Sequence, residues 1–468
     1  MEQINPAKIY DAVSAFTGWL WGIPILIVLI GGGVIITFLI GGVQFTRFGF
    51  IMKHTLLSLF DKEEQARKRA LGVSPAQAVT AALGTTIGTG NIVGVASAIS
   101  LGGPGALFWM WVCGFVAMAI KFGEVTLSCN YRQRNPKGSG YLSGPFMYIR
   151  DGLHSGLLAY IVGFCMLVAV ILIAAVHSST ITNTLDTIRV PPIGTCVVLV
   201  AVTALILIGG FRRLVQVTDK MVPFMTLFYL ICSLIVIGAN LGNVGSVISS
   251  IFKGAFEGQA AVGGFAGSAL SATVRWGLAR GVFSNDAGLG LQAILHSQAE
   301  GIDHPAQQGM WAVFETFIDT IVVCSLTGFM VLFSGVWQTG GGALLASDAL
   351  ISVLGSVGRW GYIVAVVLFA LSSIIGIGET VKIQSLEIFN SKIVSWLSQA
   401  IFVAVIAAGC IAHIQSAFVF ADLGIGIILT LNVLSIILLG KTLRALTREW
   451  FDSDGMAKKH VQPESFVR

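Results

Sequence analysis

Gly84-Thr-Thr-Ile-Gly88-Thr-Gly90-Asn91-Ile-Val-Gly94 puts four glycines into eleven residues of a stretch otherwise apolar enough to cross a membrane. A glycine in a helix interior costs about 1 kcal/mol relative to alanine. With β-branched Thr and Ile between the glycines, the helix unwinds cheaply at this point. Unwound backbone at membrane depth is tolerated only where it faces protein or a water-filled cavity. There its free amides can bind a carboxylate, helped by the dipole of the half-helix that follows, and its free carbonyls can bind a cation. A second cluster, Gly258 through Ala261-Val-Gly263-Gly264-Phe265-Ala-Gly267, has the same character. Glycines also serve close helix packing. Two clusters at matching places along the chain favour paired broken helices.

The surrounding sequence is that of a membrane bundle. Apolar residues make up 55% of the 468 and charged residues only 11%, where a soluble domain is about a quarter charged. The mean hydropathy is +0.85. Spanning helices need about 20 mostly apolar residues. That criterion predicts an all-α polytopic protein of about eleven spans, at 17–42, 74–101, 105–128, 156–184, 191–210, 215–240, 257–279, 308–335, 359–387, 393–413 and 417–440. The first run exceeds the apolar core of a signal peptide, about 7–15 residues, and no small-residue cleavage site follows it. It reads as a retained helix. Seven scattered cysteines with no metal spacing read as small packing residues.

The topology follows from charge and count. With the first helix entering from outside, 23 of the 28 Lys and Arg fall on the cytoplasmic side, as positive-inside orientation requires. The C-terminus is then cytoplasmic, the membrane is the plasma (inner) membrane, and lipid headgroups rather than nucleic acid account for the basic pI. Ten helices remain after the first and divide five and five. An odd number of spans per half makes the halves an inverted repeat, with the binding site where the first helix of each is broken. The expected organisation is a peripheral helix (1–43), an amphipathic elbow (44–72), two five-helix repeats (73–242 and 243–440) and a basic tail (441–468).

A third element fits the breaks. Phe369-Ala-Leu-Ser372-Ser373-Ile-Ile-Gly376 sets two hydroxyls side by side on an apolar helix. Together with carbonyls from an unwound segment they supply oxygen donors for a small cation, although Ser also back-bonds to its own helix.

Gly88 through Trp111, running on to Lys121-Phe-Gly-Glu124, resembles the alanine or glycine:cation symporter family. So do Arg280-Gly-Val-Phe-Ser-Asn-Asp-Ala-Gly-Leu-Gly290 and Phe317-Ile-Asp-Thr-Ile-Val-Val-Cys324, and the likeness covers nearly the whole chain. The resemblance implies a sodium-coupled, less often proton-coupled, amino-acid symporter with a leucine-transporter type of inverted-repeat core. By carry-over, Gly84, Ile87, Phe369, Ser372 and Ser373 form the sodium site. Thr86, Thr89, Gly90, Asn91, His177, Phe265, Ser373 and Ile377 line the substrate site. No organic cofactor or obligatory protein partner is implied. His177 stands where the family pattern has a glutamine and Ile377 where it has a tryptophan, which opens the substrate to amino acids larger than alanine or glycine.

Several ionisable residues lie in apolar helices, where they are functional candidates by default. His177 either titrates, making transport pH-dependent, or is held neutral by a backbone carbonyl. Glu315 and Asp319 share one helix face, and Lys121 and Glu124 share another. They read either as a proton relay or gate, or as charges fixing helix register near the cytoplasmic ends, the second being favoured. Arg275, Arg280, Asn285 and Asp286 read as part of an internal gate or as interfacial anchors. An intramembrane enzyme would need clustered acids, a metal set or an activated nucleophile, and none is apparent. A channel would repeat a pore element, whereas the two breaks here are unlike.

Overall fold

The computed structural model describes residues 6–61, 70–257, 266–339, 342–412 and 415–453. Phe265 and most of the second glycine cluster lie outside them. The protein is a polytopic α-helical bundle with one small hairpin, Gln133–Arg134 against Tyr141–Leu142.

Helix α1 (Tyr10–Leu39) is followed by a short α2 (Phe48–His54) in the elbow. The broken helix consists of α3 (Pro75–Thr86) and α4 (Gly90–Gly102), bent by 50°. Beyond it come α5 (Ala106–Tyr131), α6 (Pro145–Gly152), α7 (Gly156–Asp186), α8 (Pro192–Ile208), α9 (Gly210–Ala239) and α10 (Val244–Phe256). The second half holds α11 (Ala266–Asn285), α12 (Leu291–His296), α13 (Pro305–Phe333), α14 (Leu345–Phe389), α15 (Lys392–Ile411), α16 (Gln415–Leu438) and α17 (Gly440–Asp452). Among the described residues, eight helices are long and apolar enough to span a bilayer, nine if the bent pair counts as one span. The expected eleven also include α8, only 17 residues long, and α11, which carries Arg275 and Arg280.

Packing rather than propensity sets the arrangement. α5 lies against α13, and α7 lies against α14, α15 and α16. α11 reaches α5 through glycine: a Cβ at Gly277 would stand 2.5 Å from the Ala106 carbonyl oxygen, and one at Gly281 would stand 2.8 Å from Cys113 Sγ. Small residues replace a hydrophobic drive that lipid does not supply. Large apolar side chains such as Phe38, Leu157 and Ile393 stay exposed on the outside of the bundle, as lipid-facing positions do.

The segment read as a basic tail begins with a helix. In α17, Leu443, Leu446, Trp450 and Phe451 are buried. The spacing of the first three is one apolar stripe of an amphipathic helix, masked in composition by the basic residues between them. Trp450 stacks on His304, and Phe451 packs on Phe50 of α2.

Candidate functional site

The break forms where the sequence weakens the helix. α3 starts with a capping box: Ser74 Oγ accepts the Gln77 amide, and the Gln77 side chain accepts the Ser74 amide. Such reciprocal caps fix a helix start. The helix stops at Ile87, whose ψ of 89° leaves the helical region. Asn91 closes the turn from the other side. Its Oδ1 accepts the Gly88 amide at 2.9 Å, and its own amide donates to the Gly88 carbonyl at 3.2 Å. Thr89 and Gly90 open the second half-helix, where backbone amides lack partners one turn back.

Neighbouring helices press on this turn, and only glycine leaves room for them. A Cβ at Gly88 would lie 2.4 Å from Ser373 Oγ, and one at Gly90 would lie 3.0 Å from the Phe283 carbonyl oxygen. Ser373 Oγ donates to the Thr85 carbonyl at 2.9 Å, and Ser372 Oγ donates to the Phe369 carbonyl at 2.8 Å. Ser373 also lies 3.1 Å from the Phe369 carbonyl. Two hydroxyls and two carbonyls therefore meet at the last turn of α3, where Gly84 faces Ser372 and Ile87 is fully buried. This all-oxygen set is the chemistry a hard cation takes.

His177 of α7 reaches the same turn, with Nδ1 3.0 Å from Thr89 Oγ1. It is buried and bonded to a hydroxyl rather than to a backbone carbonyl. Ile377 is buried in the main apolar cluster with Val381 and Phe402.

The ionisable residues separate into distinct groups. Glu315 Oε1 accepts from Lys121 Nζ at 2.7 Å and from Thr86 Oγ1, and its Oε2 bonds His296 Nε2 at 2.8 Å. All four residues are buried. Gln308 Nε2 lies 2.9 Å from His296 Nδ1. If the amide donates there, Nε2 carries the ring proton and donates to Glu315. Thr86 thus ties α3 to α13.

Asp319 belongs to the break itself. Its Oδ1 accepts from Asn91 Nδ2 at 2.6 Å, and its Oδ2 accepts from Ser284 Oγ at 3.0 Å and Thr320 Oγ1 at 2.8 Å. It sits on a π-helical stretch, Phe317–Cys324, which faces the π-helical stretch Gly90–Gly94 that carries Asn91. Such wide turns are frequent at functional sites.

Glu124 is held by Asn432 Nδ2 at 2.6 Å, and Asp286 by Gln292 Nε2 at 2.6 Å. Arg275 and Arg280 do not join Asp286. They line a cavity with Thr17 and Trp21 of α1 and Asp422 of α16. Arg280 and Asp286 are close in sequence but take different partners.

Sequence reasoning found the break and the hydroxyl pair but missed Ser284, Thr320, His296 and Gln308. Ser284 and Thr320 stood inside two of the quoted motifs, but only the contacts reveal their partner.

A bundle of spanning helices, with one broken helix offering amides and a shell of oxygen donors at its centre, is the arrangement a secondary transporter uses. Residues 7–464 match the sodium:alanine symporter family, and the chain belongs to that family. It is 35% identical over 385 residues to the sodium/alanine symporter AgcS of Methanococcus maripaludis, covering 78% of this chain and 80% of that one. It is 31% identical over 445 residues to the probable sodium/glutamine symporter GlnT of Bacillus subtilis, covering 92% and 88%. Its fold matches that of MhsT, solved in complex with L-phenylalanine, with a TM-score of 0.56 at 12% identity over 81% of this chain and 98% of that one. The protein is a sodium-coupled amino-acid symporter with the leucine-transporter type of fold.

Proposed function

We propose that this symporter carries a small neutral amino acid, such as alanine, glycine or D-alanine, into the cell by alternating access, with the solute seated at the break between Thr86 and Asn91. The single observation that carries this reading is the turn itself, closed by Asn91 on Gly88 with the Thr89 hydroxyl on His177. The substrate carboxylate binds the amides of Thr89 and Gly90, and Asn91 holds that turn in shape. The sodium ion takes the hydroxyls of Ser372 and Ser373 with carbonyls of Gly84, Ile87 and Phe369. The bonds of Ser373 to the Thr85 and Phe369 carbonyls support this, since hydroxyls already gathered on carbonyls need little rearrangement to share a cation. Asp319 supplies negative charge behind Asn91, which favours a cationic group, the substrate ammonium or the coupling ion, in front of it. Lys121, Glu124 and Glu315 fix helix register, and Ile377 adds to the substrate wall.

The N-terminus is outside, the C-terminus is cytoplasmic and the membrane is the plasma membrane. Counting Arg275 and Arg280 with the outer ends of α1 and α16 leaves the positive-inside bias intact. Residues 73–242 and 243–440 form the two repeats.

A larger neutral amino acid such as glutamine is the second reading. It is favoured by His177 at the pocket and by a relative described as a probable sodium/glutamine symporter.

Purified protein in liposomes tests both readings. Labelled amino acid should accumulate only under an inward sodium gradient, and equal uptake without any ion gradient rejects coupling. Asn91→Ala should abolish uptake, so normal uptake rejects the site. Competition by the twenty amino acids and D-alanine selects between small and large substrates.

A further inference from the structure

A cavity of about 310 Å³ lies at the end of the bundle where α14 closes and α15 begins. Cations reach it from four elements: Lys137 from the hairpin turn, Arg212 from α9, Lys382 from α14 and Lys392 from α15. Two carboxylates share the wall, and each is already matched. Glu379 lies 3.5 Å from Lys382, and Glu300 lies 3.3 Å from Arg134, which stands outside the cavity. Lys137 donates to the Asn390 carbonyl, at the end of α14. Arg212 and Lys392 are exposed and have no ion-pair partner among the described residues. Three positive charges are therefore left on one small space with no carboxylate for them. Two buried polar atoms on the same wall also lack partners, Gln399 Nε2, a donor, and Glu379 Oε2, an acceptor. Buried polar groups are ordinarily paired, so these orphans and the surplus charge mark a place for a polar, anionic guest.

We propose that this cavity is a phosphate site, which takes a phosphate group on Arg212, Lys392 and Lys137, with Gln399 donating a further hydrogen bond. A guanidinium fork fits phosphate oxygens, and the ammonium groups add point charges. Lys392 also opens α15, a helix of 20 residues, so the positive end of that helix adds to the field. A zwitterionic amino acid would bring no net charge to three unmatched cations, and a halide could not satisfy Glu379. A phosphate accepts through its bare oxygens and donates to Glu379 through a remaining O–H, its own or that of a glycerol headgroup. Lys382 stands nine residues beyond Ser373 on α14, about 14 Å at a helical rise of roughly 1.5 Å per residue, so this site is separate from the oxygen shell. Two sources share the chemistry. Trp396 on the cavity wall is 58% exposed and Ile393 beside Lys392 is 80% exposed, the kind of side chain that meets lipid at an interface, so a lipid headgroup reaches the site from that side. A soluble phosphate reaches it from water. Either guest would bridge the hairpin, α9, α14 and α15 and so stabilise this arrangement of the bundle.

The test is a ligand-dependent melting temperature, read by thermal size-exclusion on the full chain in detergent. One arm compares inorganic phosphate with chloride at equal ionic strength, and the other compares short-chain phosphatidylglycerol with short-chain phosphatidylcholine. At least one phosphate probe should raise the wild-type melting temperature by a few degrees, as mass action requires of a ligand bound only by the folded state. Phosphate also stabilises proteins in general by exclusion from their surfaces, and variants subtract that effect. Arg212→Gln with Lys392→Gln should keep only the general rise. Both side chains are exposed, so the double variant should melt near wild type in chloride, and Lys392→Gln alone carries the comparison if it does not. Arg213→Gln with Lys220→Gln removes two charges of α9 that do not line the cavity, and should keep the full rise. Gln399→Leu should raise the probe concentration for a half-maximal shift several-fold, the worth of one hydrogen bond. A rise with phosphatidylglycerol alone assigns the site to a lipid headgroup, and a rise with inorganic phosphate assigns it to a soluble phosphate. No rise beyond the general effect with either probe overturns the proposal, and so does an equal rise in wild type and in the Arg212 and Lys392 variants.

Discussion

Glu315 and Asp319 are one turn apart on α13, equally buried, and chemically opposite. Glu315 has a full counter-charge in Lys121 and further donors in Thr86 and His296. Among the described residues, Asp319 has neutral donors: Asn91, Ser284 and Thr320. A buried ion pair holds elements in register because separating it strands a charge. A buried carboxylate bonded only to amide and hydroxyl groups has no counter-charge in place, so a cation that arrives and leaves can serve as one. The same residue class four positions apart can therefore serve scaffold and site, and partners decide which.

The comparison breaks first at the scaffold. Lys121→Met leaves Glu315 buried with no cation, a loss of about 3–5 kcal/mol for a broken buried pair. Folded protein recovered from membranes should fall sharply in a thermal size-exclusion assay, and Lys121→Met with Glu315→Gln should recover part of it. An unchanged melting profile for the single variant would remove Glu315 from the scaffold. Asp319→Asn should do the reverse. Its melting profile should stay near wild type while sodium-driven uptake drops about tenfold, one charge-assisted bond, and a parallel loss of fold and uptake would erase the distinction. Ser373→Ala should raise the sodium concentration for half-maximal uptake several-fold, about one neutral hydrogen bond, with maximal uptake kept at high sodium. The smallest change is expected from His177→Gln. Uptake should stay within about threefold, a fraction of one hydrogen bond, while the ranking in the competition panel shifts. No shift would take His177 out of substrate choice.

What the sequence disclosed follows from how local each feature is. The break at Gly84–Asn91 was legible because glycine and β-branched residues act on their own stretch of backbone. Ser372 and Ser373 were legible as an adjacent pair on an apolar helix. Asp319 was picked out, but as a register charge beside Glu315, because its partner Asn91 lies 228 residues away. His296 and Gln308 carry no pattern on their own and acquire meaning only around Glu315. Arg280 and Asp286 look like one cluster in sequence, yet the backbone between them carries Arg280 to Trp276 and Asp422 and Asp286 to Gln292. Side-chain chemistry was readable; the faces it served were not.

The bond from Thr86 to Glu315 has a mechanical consequence. It bolts α3, the first half of the broken helix, to α13 and, through Lys121, to α5. Against α14 the same half-helix packs closely on Gly376 and the two serines, a contact crossed by the hydroxyl of Ser373 on the Thr85 carbonyl. One side is held by a buried charge and the other by a hydroxyl on a carbonyl, and the proposed sodium ion would add its bonds to the more weakly held side.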